Sequence, residues 1–152
     1  MFAAIDTVGV TDGDVATIGA DLSGLATKIR SQYLGDADAT VVLVGRSTWT
    51  RRFVDWEIAA TLAGGPDGRR ALLGLALPSL AEQTARLPDR LAANLGVQEW
   101  PGYAVMTDYP SNPSQLAHDI DRALSRRRWH TPSDQSFSPL VRRDLTDRTT
   151  LR

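Results

Sequence analysis

Two short apolar runs constrain the fold of this chain more than any other feature. Residues 40–45, TVVLVG, and residues 71–77, ALLGLAL, show almost no alternation between apolar and polar side chains. A strand with one face in water alternates, whereas a strand covered on both faces in a parallel sheet is continuously apolar. A helix-length segment, residues 50–62, separates the two runs. The pattern therefore predicts two parallel strands joined by a helical crossover.

The other segments continue this alternation of strands and helices. Residues 2–10, FAAIDTVGV, are apolar and β-branched and end at the turn cluster TDGD, which is typical of a strand. From residue 21 the apolar spacing changes to three and four residues, which predicts a helix. Residues 80–86 predict a short helix, and residues 102–109, GYAVMTDY, predict a last strand. This order predicts an α/β fold, a three-layer sandwich around a mostly parallel sheet of about four strands.

The clearest helical segment is residues 112–128, NPSQLAHDIDRALSRRR. Asn112 is suited to cap its first turn, Pro113 fits the first helical position, and Gln115 stands where a capping box places an amide. Its predicted buried stripe is Leu116, Ile120, Ala123 and Leu124.

Composition excludes several classes of site. The 152 residues contain no Cys, which excludes disulfides, thiol catalysis and Cys-based zinc sites, and the two His do not define a metal site. The net charge of −1 gives no argument for nucleic acid as a partner. No apolar run approaches the roughly 20 residues that span a bilayer, and the start lacks the layout of a signal peptide. We therefore expect no metal, no membrane contact, and a cytoplasmic location or incorporation into a particle assembled in the cytoplasm.

The last segment differs in kind from the rest. Residues 129–152 show neither a helical nor a strand period, so they cannot build a core of their own. We predict an α/β domain in residues 1–128 and an extended tail in residues 129–152. Isolated apolar residues in this tail would bind a protein partner, another copy of the chain or a larger assembly: Trp129, Phe137, Leu140, Val141 and Leu145.

Residues 40–77 resemble the TIR-like domains of the Thoeris-defence sensor family, flavodoxin-like folds related to Toll/interleukin-receptor domains. The family pattern is a strand like TVVLIG, a short polar loop, a helix with WV-x-x-EI, and a strand like LLGI. Residues 40–45, 46–47 and 72–75 match the two strands and the loop, and Phe53 with Glu57 matches the helix. The weaker likeness extends over about residues 21–126.

The resemblance implies a catalytic role for Glu57. In catalytic TIR domains the helix glutamate assists cleavage of the nicotinamide bond of NAD, and Glu57 occupies the matching position. A carboxylate beside the ribose can stabilise an oxocarbenium-like centre. The alternative is a surface glutamate that forms an ion pair with Arg51 or Arg52.

The loop before this helix has two interpretations. Gly45, Arg46 and Ser47 could offer backbone N–H groups to a nucleotide phosphate at the helix N-terminus. The loop lacks the glycine spacing of a phosphate-binding loop, so a plain connecting turn is the alternative.

One departure from the family pattern bears on function. Family members have a first strand of the FISY or FFSF type and a helix before the strand that FAAIDTV resembles, and we expect this chain to lack that first strand–helix unit. Because ligands of doubly wound sheets bind at the switch point of the strand order, this departure predicts an incomplete nucleotide pocket. We therefore expect a non-catalytic TIR-like interaction module without a cofactor, which docks through its tail into a larger complex such as a phage or prophage particle. The alternative is an NAD-cleaving TIR-like enzyme of antiphage signalling that uses Glu57.

Overall fold

A computed structural model describes residue 31 and residues 34–63, 69–80, 86–97 and 99–133. The strand predicted for residues 2–10 and most of the helix predicted from residue 21 lie outside these ranges. The elements, in chain order, are β1 (Ala39–Val44), α1 (Arg52–Leu62), β2 (Ala71–Ala76), α2 (Asp89–Ala93), β3 (Gly96–Val97), β4 (Trp100–Pro101), β5 (Val105–Asp108) and α3 (Pro113–Trp129).

The main sheet is parallel, as the two apolar runs predict. Its described strands lie in the order β1-β2-β5. Val41 is in register with Leu73, and Leu73 is in register with Val105. The sheet thus has three described strands where the sequence predicts about four, and the remaining predicted strand is the one at residues 2–10.

Helices cover both faces of this sheet. On one face, Val42, Val44 and Leu72 pack with Ile58 of α1 and Leu91 of α2. On the other face, side chains of the sheet pack against α3 in a second cluster that contains Ala71, Leu73, Leu75, Val105 and Ala123. The molecule is therefore an α/β three-layer sandwich, consistent with the flavodoxin-like fold.

Helix α1 is buried on more of its circumference than its apolar spacing predicts. Ile58 packs toward the sheet, yet Ala60 and Trp56, on the other side of the helix, are also buried. A helix that is apolar on all sides belongs in an interior rather than at a surface. The second half of α1 is accordingly a core element.

The segment between β2 and β5 contains elements that the sequence does not predict. The short helix expected at residues 80–86 falls mostly on residues 81–85, which lie outside the described ranges, and α2 starts at Asp89, after Pro88. Strands β3 and β4 form a small antiparallel hairpin that no periodicity indicates, because each is only two residues long.

Helix α3 confirms the capping pattern, with one difference. The backbone N–H of Gln115 donates to the side-chain oxygen of Asn112 at 2.9 Å, which satisfies a first-turn donor. The Gln115 amide oxygen accepts from the backbone N–H of Ser111 at 3.1 Å, not from that of Asn112. The stripe predicted to be buried does face the sheet, with Ala123 fully buried.

The predicted tail begins inside the folded domain. Trp129 is the last residue of α3, and Pro132 is buried. The backbone N–H of Ser133 donates to the side-chain oxygen of the buried Asn94 at 2.9 Å. Residues 130–133 are therefore held against the end of α2. The other tail residues named from the sequence, Phe137, Leu140, Val141 and Leu145, lie outside the described ranges.

Within the described ranges, no helix is long and apolar enough to cross a membrane. The same part of the chain contains no group of three or more His, Cys, Asp or Glu side chains placed to hold a metal ion.

Candidate functional site around Glu57

Glu57 lies on the second turn of α1, whose N-terminus is close to the carboxyl end of β1 because residues 45–51 are a short connection. Residues 53, 57 and 61 share one row of the helix, since positions four apart lie above each other. The hydroxyl of Thr61 donates to the carbonyl oxygen of Glu57 at 2.7 Å. Glu57 is partly buried and lies in the middle of this row. The bond from Thr61 fixes the C-terminal end of the row.

Thr61 also joins the row to the sheet. Its hydroxyl oxygen lies 2.7 Å from the hydroxyl of Thr40 in β1. Because a hydroxyl carries one proton, Thr40 is the donor in this contact. Among the described strands β1 and β5 lie at the two edges of the sheet, so Glu57 stands on the flank of α1 that borders the β1 edge.

The opposite flank of α1 faces α2. Two residues along a helix are separated by about 200°, so Asp55 and Glu57 point away from one another. Nε of Arg90 lies 2.9 Å from a carboxylate oxygen of Asp55. An ion pair therefore holds one flank of α1 while the other flank carries Glu57.

The loop after β1 is held together by hydrogen bonds between its own residues and the end of β1. The Gly45 N–H donates to the hydroxyl of Thr48 at 2.8 Å, and that hydroxyl donates to the carbonyl of Leu43 at 3.2 Å. The Thr48 N–H donates to the Gly45 carbonyl at 3.3 Å. In this conformation the Gly45 N–H serves the turn instead of facing a ligand, which is the geometry of the connecting-turn alternative. Arg46 and Ser47 stay exposed at the tip.

The start of α1 is electropositive. Its N-cap is Arg51, whose side chain accepts no hydrogen bond from the first turn. Helix N-terminal N–H groups carry partial positive charge, and Arg46, Arg51 and Arg52 add full charges beside them. The field at this end of the sheet therefore favours an anionic group.

The two tryptophans near this end are engaged within the protein. The Arg52 guanidinium lies 5.7 Å from the centre of the Trp56 ring, and Phe53 meets Trp56 edge-on at 5.4 Å between ring centres. The Arg86 guanidinium lies 4.3 Å from the centre of the Trp49 ring. Both tryptophan rings therefore pack against arginine or aromatic side chains of the protein itself.

Sequence reasoning misses Arg90 and Arg86. Arg90 stands in LPDRLAANLG, where nothing in the spacing distinguishes it from a surface arginine. Its importance depends on the packing of α2 against α1, a contact between segments that are distant in the chain.

A second surface feature lies on the β3–β4 hairpin. Val97 and Trp100 are directly opposite each other in the ladder, so their side chains share one face of the ribbon. They are 67% and 76% exposed, and Trp129 at the end of α3 is 81% exposed. Exposed apolar side chains of this size are typical of interaction surfaces.

Part of the chain matches a known protein family. Residues 14–82 match the family model described as Thoeris protein ThsB, TIR-like domain. We call residues 14–82, which are similar to the TIR-like domain of ThsB, the ThsB-type segment. The match contains β1, α1 and β2, and therefore Glu57 and residues 45–47. The resemblance inferred from the sequence is confirmed over these residues.

No curated protein and no solved structure matches the chain. The ThsB-type segment ends before α2, so the hairpin, β5 and α3 lie beyond the matched residues. The roles of Glu57, Gly45, Arg46, Ser47 and the tail residues stay predictions.

Proposed function

We propose that this chain is a TIR-like enzyme of Thoeris-type signalling that cleaves NAD at the nicotinamide–ribose bond, with Glu57 as its catalytic carboxylate. The observation that supports the proposal is the position of Glu57. It falls within the ThsB-type segment, and it lies partly buried on the α1 flank that borders β1, an edge strand among those described. This position supports the enzyme, which the sequence offers as the alternative to a non-catalytic module.

The chemistry requires little more than an oriented carboxylate. The bond between nicotinamide and C1′ of the ribose breaks, and nicotinamide leaves with the electron pair. The ribose then carries positive charge shared between C1′ and the ring oxygen, which a nearby carboxylate stabilises. Water adds to C1′ and loses a proton, so the products are nicotinamide, ADP-ribose and H⁺. Glu57 would orient the ribose hydroxyls and stabilise this charge.

The electropositive start of α1 suits the same substrate. NAD carries two phosphate groups, and Arg46 with the exposed tip of the loop at Ser47 offers charge and backbone donors to them. The Gly45 N–H would contribute only if the Thr48 hydroxyl released it.

A substitution at Glu57 tests the proposal directly. We expect the purified wild-type chain to release nicotinamide from NAD, and Glu57→Gln to lower the rate by about 100-fold or more. Glutamine keeps the size of the side chain and its helix propensity, so the fold should be retained. Glu99→Gln, at the exposed turn of the hairpin, is the matched control and should keep the wild-type rate. Wild-type protein that releases no nicotinamide, or a Glu57→Gln variant as active as wild type, would contradict the proposal.

A second candidate is an interaction or assembly module that docks into a larger complex through its C-terminal segment. The exposed pair Val97 and Trp100, together with Trp129, favours it. Tryptophans at the centre of protein interfaces often dominate binding energy. No described residue identifies the complex as a phage particle. Self-association is also compatible with the enzyme.

A further inference from the structure

We infer that Arg90 of α2 is a positioning residue for Glu57, which it holds in place by its ion pair with Asp55. The inference rests on the proposed function, because it assigns a role toward the same carboxylate. Arg90 acts through the orientation of α1, which carries both Asp55 and Glu57.

The Arg90–Asp55 ion pair is largely buried between α1 and α2. The Arg90 side chain is 7% exposed and that of Asp55 is 26% exposed, and Nε lies 2.9 Å from the carboxylate. The Nε–H bond is not aligned with the oxygen, so this contact is an ion pair rather than an aligned hydrogen bond. Burying an arginine between helices costs desolvation that apolar residues would avoid. What the pair provides is a fixed relation between α1 and α2.

Arg90 is on a helix that is itself anchored. Helix α2 has five residues, too few to be stable alone. The side-chain amide of Asn94 donates to the Arg90 carbonyl at 2.8 Å, and the Asn94 carbonyl accepts from the Ala104 N–H at 2.8 Å. Ser133 adds the bond to the Asn94 side chain. The Arg90 guanidinium therefore extends from a helix whose position is fixed by these hydrogen bonds.

The two flanks of α1 together restrict its rotation. Arg90 holds Asp55 on the α2 side, and Thr40 holds Thr61 on the β1 side. Glu57 lies between these contacts in sequence. Loss of the Asp55 contact removes the ion pair that holds the first two turns against α2. Misplacement of a catalytic group by about 1 Å can cost about 100-fold in rate, so a small rotation would be visible in kcat.

The experiment compares Arg90→Met, Asp55→Asn and the double variant with Arg122→Met. Arg122 forms an ion pair at 3.2 Å with the buried Asp119 on α3, on the other face of the sheet. Arg122→Met therefore also removes the partner of a buried carboxylate, but far from α1. It serves as a control for destabilisation as such.

We expect Arg90→Met to lower kcat for nicotinamide release by about 10- to 100-fold with little change in KM. The double variant should recover stability, because both members of the pair are removed together, while kcat stays low. Arg90→Lys, which keeps the charge, should recover part of kcat. Arg122→Met should lose stability and keep wild-type kcat. If the double variant recovers kcat along with stability, the role of Arg90 is structural only and the inference is wrong.

Hydrogen exchange gives a result that does not depend on activity. Amides in the first two turns of α1 should exchange faster in Arg90→Met than in Arg122→Met at matched global stability. Equal exchange in the two variants would overturn the inference. If wild-type protein does not cleave NAD, the proposed function fails, whereas the exchange result still decides whether Arg90 holds the Glu57 turn.

Discussion

Among single residues, Tyr103 joins the segment before β5 to the start of β2. Its side chain is buried, and its hydroxyl donates to the backbone carbonyl of Arg70 at 2.6 Å. Burial raises the pKa of this hydroxyl above its ordinary value, and the nearby Arg69 and Arg127 oppose the shift only in part. The native state therefore keeps the phenol protonated at a pH where an unfolded chain begins to lose the proton.

This shift predicts a pH-dependent contribution to stability. Tyr103→Phe should lower the free energy of unfolding by about 1 kcal/mol near neutral pH, because it removes the bond to Arg70. The unfolded state ionises first, at about pH 10, so the contribution of Tyr103 is fully present below that pH and falls as pH rises through the native pKa. Urea unfolding of both proteins between pH 8 and pH 11 should show their difference shrinking above pH 10. A difference that stays constant over this range would show that folding does not shift the pKa of Tyr103.

At the scale of elements, the β3–β4 hairpin depends on one glycine. Gly96 has φ 71°, in the left-handed region that glycine adopts freely. A Cβ at this position would lie 2.2 Å from the backbone nitrogen of Gly102 and 2.3 Å from the carbonyl oxygen of Trp100. Both obstacles are backbone atoms, so a side chain cannot relieve the clash by changing rotamer.

Gly96→Ala should therefore destabilise the protein by about 3 kcal/mol, from the strained φ and the overpacking together. Gly45→Ala is the matched control. Its Cβ would meet the Leu77 side chain at 3.4 Å, an ordinary contact, so stability should change by no more than about 0.5 kcal/mol. Urea denaturation of the two variants measures the difference. Equal stabilities for the two would show that the hairpin adapts to a side chain at position 96.

At the scale of the whole molecule, the chain after α3 returns to the opposite layer of the sandwich. Helix α3 covers one face of the sheet, yet residues 130–133 reach Asn94 at the end of α2 on the other face. Arg126, in the last turn of α3, donates to the Ala104 carbonyl at 2.8 Å and so holds the end of the helix from which this segment leaves. Residues 129–133 consequently pack with the domain, and we expect the boundary between domain and tail after Ser133.

Two truncations test this boundary and the second candidate function together. A chain ending at Ser133 keeps the Asn94 bond and should match the full chain in unfolding free energy within about 0.5 kcal/mol. A chain ending at Trp129 removes Pro132 and Ser133 and should lose about 2 kcal/mol, because the buried Asn94 oxygen loses its donor. Urea unfolding measures both.

The same two proteins report on assembly. If the C-terminal segment mediates self-association, the chain ending at Ser133 should be smaller by light scattering than the full chain at equal concentration. An unchanged oligomeric state would remove the role of Phe137, Leu140, Val141 and Leu145 in self-association. Equal stability of the two truncated chains would show that Ser133 adds nothing to the domain.

Local pattern was sufficient for much of the fold. The continuous apolar runs at β1 and β2 predicted buried parallel strands, because a strand covered on both faces cannot alternate. Asn112 and Pro113 located the start of α3, because capping depends on neighbouring residues alone. The resemblance carried by residues 40–77 placed Glu57 on a helix next to β1, and the ThsB match confirms that resemblance.

The packing of distant segments decided the rest. No spacing could have paired Asp55 with Arg90 or Asn94 with Ser133, since these contacts exist only once α2 lies between α1 and the chain after α3. The sequence offered Gly45 as a phosphate donor, but the folded turn engages its N–H with Thr48. The sequence by itself determined that β1, β2 and β5 are strands and that α1 and α3 are helices, because periodicity and capping are local. Only the tertiary structure decided which flank of α1 carries Glu57 and what holds it there, because those contacts join side chains far apart in the chain.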